Sequence, residues 1–60
     1  MRYLKLNRKY GHTYVDGRYE EFTVRWYDPV CREFHVEGET GKRYTIAATS
    51  RVHKECVLIS

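Results

Sequence analysis

Cys31 and His35 stand four residues apart and His53 and Cys56 three, so two sulfur–nitrogen pairs supply the ligand count of a closed tetrahedral zinc site. The first pair argues against that use. On one extended strand, four residues span roughly 13 Å, too far for both side chains to reach one ion. No metal or other cofactor is therefore expected. The two thiols are read as reduced, because small secreted disulfide scaffolds usually carry more cysteines, and a Cys31–Cys56 disulfide is the minor alternative. Any of His12, His35 and His53 could serve a cysteine nucleophile, but no catalytic spacing, strained-turn motif or nucleotide loop supports that chemistry. The chain reads as non-enzymatic.

A second chemistry is electrostatic. Lys5, Arg8, Lys9, Tyr10, His12 and Tyr14 mix cations with planar rings in one short stretch, and Arg51, His53 and Lys54 add to them near the other end. That mixture tracks phosphates while stacking bases. The competing reading folds Tyr10 and Tyr14 back over the core and leaves the cations as ordinary solvated charges. The charge distribution has the same sense. Residues 1–18 carry five Lys or Arg against one acid, residues 19–39 two against six, and residues 40–60 four against one. Basic ends around an acidic middle suit a polyanion partner. Trp26 and Arg32 form a further candidate pair: parity sets both on the inner face, as a recognition pair at a barrel mouth or as an arginine snorkelling past the indole.

These residues need a scaffold, and sixty residues with nine aromatics favour a thin, strand-rich one. Arg2 to Leu6 alternates, with Leu4 and Leu6 on one face, and predicts a first strand. Residues 7–17 hold two glycines, an Asn and an Asp, and predict a long loop or an irregular hairpin around His12 to Val15. From Tyr19 to Ala48 the alternation predicts a three-stranded antiparallel meander. Phe22, Val24 and Trp26 face inward on its first strand, Phe34 and Val36 on its second, and Tyr44, Ile46 and Ala48 on its third. Glu20-Glu21 suggests a bulge.

Register follows from keeping like faces opposed. Val24 is set against Phe34 and Phe22 against Val36, which implies a loop around Asp28 to Val30. Val36 is set against Tyr44 and Phe34 against Ile46, which leaves Glu39-Thr40-Gly41 as a three-residue loop ending on Gly. The outer rows are then Thr23–His35–Thr45, Arg25–Glu33–Ala47 and Glu37–Arg43, mostly neutralised, so an open nucleic-acid platform on that face is disfavoured. After Ala48, residues 49–54 predict one capped helical or 3₁₀ turn, and Cys56 to Ile59 a last strand.

Strand, long loop, meander, short turn and strand together resemble, in layout, an SH3-like small five-stranded barrel. The rival is a strongly twisted antiparallel sheet with one packed helical turn. The expected class is all-β and a single small domain. Pro-rich peptide binding is not implied, since the acidic-aromatic signature of signalling SH3 domains is absent. No apolar stretch reaches eighteen residues and the first ten hold four cations, so a soluble, cytoplasmic protein with no membrane partner is expected. Two functions compete. One is an accessory or regulatory nucleic-acid-binding protein using the basic flanks. The other is an interaction module, such as an inhibitor or adaptor, docking on a larger acidic protein. Exposed edges of the first and last strands could also pair with a second copy of the chain.

Overall fold

The computed structural model describes residues 2–60. It is all-β: β1 (Lys9–Thr13), β2 (Tyr19–Asp28), β3 (Glu33–Gly38), β4 (Arg43–Ala47) and β5 (Val57–Leu58), with one short helix, α1 (Arg51–Glu55), before the last strand. The strands form one sheet in the order β4-β3-β2-β1-β5, and every pairing is antiparallel. β4 and β5 are its two edges, and α1 packs against β4. No helix among the described residues is long and apolar enough to cross a membrane.

The β3–β4 hairpin has the expected register. Val36 faces Tyr44 and Phe34 faces Ile46, and Gly41 takes the left-handed conformation (φ 84°) that ends its three-residue loop. The β1–β2 hairpin uses the same device. Tyr14 N–H donates to the Arg18 carbonyl at 2.7 Å across Val15-Asp16-Gly17, and Gly17 is left-handed at φ 91°. Residues 9–13, expected within a long loop or an irregular hairpin around His12 to Val15, are strand β1 of a hairpin with β2. Gly11 suits that strand because Tyr19 and Ile59 lie across it, where a Cβ would collide with the Tyr19 ring.

Three expectations fail. Arg2 to Leu6 is not a strand: a turn at Leu6 and Asn7 (φ 61° at Asn7) breaks the alternation, so that Leu4 is buried and Leu6 exposed. The bulge is not at Glu20-Glu21, which pair regularly with β1. It is at Arg25, between Val24 and Trp26. Its backbone partners come from the first segment, where Asn7 N–H donates to the Val24 carbonyl and Val24 N–H to that of Arg8. The β2–β3 register also differs, with Val24 facing Val36 and Tyr27 facing Phe34, because the loop is four residues, Pro29 to Arg32. Asp28 Oδ1 shapes that loop by accepting from the N–H groups of Val30 (3.0 Å) and Cys31 (3.3 Å).

The core consists of Leu4, Tyr10, Phe22, Val24, Phe34, Val36, Ile46 and Cys56, with Tyr27, Tyr44 and Val52 packed against it. Ser50 caps α1, its Oγ accepting from His53 N–H at 3.2 Å and donating to the Ala47 carbonyl at 2.7 Å. Ser50→Ala is expected to lower stability by about 1 kcal/mol in urea denaturation. Tyr44 has the opposite sign. Among the described residues its hydroxyl is buried without a hydrogen-bond partner. Burial first, with the charges of Glu20 and Tyr14 adding, pushes its pKa up to about 12. Tyr44→Phe removes an unsatisfied polar atom and is expected to raise stability by about 1 kcal/mol; a lower urea midpoint would mean the hydroxyl is bonded in solution.

Candidate functional site

The residues singled out from sequence do not form one surface. Tyr10, His12 and His53 are buried. Tyr10 belongs to the core and its hydroxyl accepts from Lys5 N–H at 2.9 Å. His12 meets Tyr14 edge-on at 4.7 Å, and Tyr14 is in turn covered by the Arg18 guanidinium. The reading in which tyrosines fold back over the core therefore describes Tyr10. Lys9 lies 3.9 Å from Glu21, and Arg51 pairs with Glu55 at 3.0 Å one turn along α1. Lys5, Arg8 and Lys54 remain exposed.

Trp26 and Arg32 are not a pair on the inner face. The extra residue at Arg25 turns Trp26 outward, where it is 48% exposed, and turns Tyr27 inward against Phe34. Arg32 lies in the β2–β3 loop. The predicted outer rows change accordingly: His35 faces Trp26 and Thr45, Thr23 faces Glu37, and Arg25 pairs with Glu37 at 3.1 Å.

Three cations from separate parts of the chain do converge. Arg2, Arg32 and Lys54 line one groove of about 420 Å³ together with Ala48, Thr49 and His53, and among the described residues no carboxylate lines it. The volume falls in the roughly 300–1,000 Å³ range of small-molecule sites. Arg2 is positioned by the end of α1: its guanidinium donates to the Cys56 carbonyl at 2.8 Å and touches Cys56 Sγ at 2.9 Å. Burial holds the Cys56 thiol above its ordinary pKa despite the opposing effect of Arg2, so the guanidinium is not offset by a thiolate there. His53 stacks on Phe34 at 5.4 Å and its Nε2–H donates to the Arg2 carbonyl, which ties the first segment to the helix. Lys54 occupies the last turn of that helix.

Arg32 is the unusual member. Its backbone is left-handed (φ 57°), a conformation that costs a non-glycine residue roughly 1–2 kcal/mol, and its carbonyl is held by Ala48 N–H at 2.9 Å. The loop thus places an arginine at the groove where glycine would be the easier residue.

The thiols are free and apart, Cys31 exposed in the β2–β3 loop and Cys56 buried. Cys31 is not on a strand with His35, as the spacing argument assumed. Its thiol pKa is raised, first by hydrogen bonding to Asp28 and then by that carboxylate's charge. Among the described residues no three His, Cys, Asp or Glu side chains are gathered to hold a metal.

Arg2 was not singled out from sequence, although Arg2-Tyr3 is the same cation-and-ring pairing as Lys9-Tyr10. Tyr3 is 68% exposed beside the groove-lining arginine and meets Tyr27 edge-on at 5.5 Å. Comparison with protein-family models, with curated proteins and with solved structures returns no match for this chain.

Proposed function

We propose that this protein is a small, non-enzymatic nucleic-acid-binding β-module of an accessory or regulatory kind, which holds backbone phosphates in the groove of Arg2, Arg32 and Lys54. The observation that carries this reading is Arg32, an arginine kept in a strained left-handed conformation at a groove that already holds two cations and no lining carboxylate. Guanidinium groups bind phosphate oxygens through paired N–H donors, and a lysine adds a point charge. Tyr3, next to Arg2 in sequence and 68% exposed, lines a neighbouring depression that also includes Arg2 and is a ring open to a base of the same strand. A non-enzymatic role fits the groove's one imidazole, His53, which is buried and committed through Nε2 to a backbone carbonyl. Free thiols fit a reducing cytoplasm.

Fluorescence anisotropy with labelled mixed-sequence DNA and RNA tests the proposal. Binding is expected at low salt and should weaken steeply toward physiological ionic strength. Undetectable affinity for both at low salt ends it. A second reading, docking on a protein, rests on a different observation: Val57, Leu58 and Ile59 are exposed along the open edge of the sheet. A partner that survives nuclease treatment in a pull-down would favour that reading.

A further inference from the structure

Trp26 and His35 stand opposite each other on the outer face of the sheet with their rings stacked, 4.3 Å between centroids and 13° between planes. Their arrangement is a product of the Arg25 bulge, without which the strand's alternation would have to be read with Trp26 in the core. A tryptophan left 48% exposed on a domain with so thin a core is an apolar surface available to a ligand. Among the described residues no further ring or guanidinium is stacked on Trp26.

The surroundings select the ligand. Trp26 and His35 line a small depression of about 180 Å³ with Arg25, Arg43, Tyr44 and Thr45, and among the described residues no carboxylate lines it. Glu37 is the acid that neutralises both arginines, but unequally: it holds Arg25 Nε at 3.1 Å and reaches Arg43 only at 4.0 Å. Arg25 is further engaged through Nη1 with Asn7 Oδ1 at 3.2 Å. The Arg43 side chain is 78% exposed and has most of its donors to offer. Arg43 is thus the guanidinium left largely unpaired beside a flat aromatic surface whose other side, at His35, interacts with the Asp28 carboxylate, and cation and ring together complement a base with its phosphate.

We propose that Trp26, backed by His35, is a base-stacking site with Arg43 as its phosphate partner, so that the protein takes single-stranded rather than duplex nucleic acid. The inference rests on the phosphate-holding role of the Arg2–Arg32–Lys54 groove and adds to it the class of strand. Bases inside a duplex stack on one another and present no free face to a ring on a sheet surface, whereas unpaired bases do.

Trp26 is the only tryptophan in the chain, so its emission reports this site alone. The experiment titrates the protein at low salt with a mixed-sequence single strand, the corresponding duplex, and an abasic strand of the same length. The single strand should quench Trp26 and bind tightest, while duplex and abasic strand leave the emission unchanged. Trp26→Ala, followed by anisotropy, should weaken single-strand binding roughly tenfold, within the range that one stacked base contributes, and leave duplex binding as it was. Trp26→Phe keeps a ring and should retain most of the preference, which separates loss of stacking from any loss of fold. Equal binding of all three ligands with no change in emission overturns the stacking site and leaves the groove standing. Failure to bind any of them overturns both.

Discussion

Phe34→Ala is expected to leave this protein largely unfolded. Phe34 is 0% exposed at the centre of the β2–β3–β4 meander, with Tyr27 on one side at 4.6 Å and His53 at 5.4 Å. Truncating a buried phenylalanine costs about 3–5 kcal/mol, the lost transfer energy plus the cavity that remains. A sixty-residue domain has a total of roughly 3–9 kcal/mol to lose. Among the described residues the ring also carries the only stacked contact of the α1 imidazole, so its loss should release the helix and the groove with it. Circular dichroism and urea denaturation read the outcome, with Phe34→Leu as the milder comparison. A Phe34→Ala protein with a near-native urea midpoint would show that the core is organised differently.

Arg32→Gly should separate folding from binding. Glycine adopts φ near 57° without the Cβ clash, but it also has more freedom to lose on folding, so stability is expected to stay level or rise by up to about 1 kcal/mol. Affinity for a single strand at low salt should nevertheless fall roughly tenfold, the effect of one lost charge-assisted contact. The slope of log K against log salt should become shallower by about 0.7, one phosphate contact fewer. Adding Lys54→Gln should take away a similar amount again, since Lys54 is an exposed member of the same groove. Unchanged affinity in the double variant, with the fold intact, would remove the groove from consideration and favour the edge of β5 as the functional surface.

Local rules were enough wherever a structural choice depended on neighbouring residues. Gly41 marked the end of the β3–β4 loop because only one position there needs φ above zero, and Thr49-Ser50 marked the capped turn because a side-chain oxygen must satisfy a free N–H, a part Ser50 takes. Gly17 has the same left-handed conformation as Gly41, yet residues 7–17 read from sequence as a long loop or an irregular hairpin, and the turn's signal goes unread. It was obscured because Gly11 in mid-strand reads as loop until Tyr19 and Ile59 are seen lying across it. Alternation misplaced Trp26 for a different reason. A period-two pattern survives only until a residue is inserted, and the insertion at Arg25 is held by Asn7 and Arg8, far away in sequence. The candidate site was less legible than the fold. Tyr10, His12 and His53 have the composition of a binding surface, yet the same rings fill the core of a domain short of aliphatic residues.

An all-β meander, the inward set of Phe22, Val24, Phe34, Val36 and Ile46, the capped turn before the last strand and a surplus of cations at both ends were all legible in the order of residues. These follow from periodicity, turn stereochemistry and composition, which act over a few residues. Which cations meet and which aromatic stays in water emerged from the folded chain alone. Arg2, Arg32 and Lys54 are distant in sequence and come together because the first segment is tied to α1 through Cys56 and His53 and the β2–β3 loop is tied to Ala48. The distance between charges depends on the path of the chain, and that path is fixed by long-range contacts that no local pattern encodes.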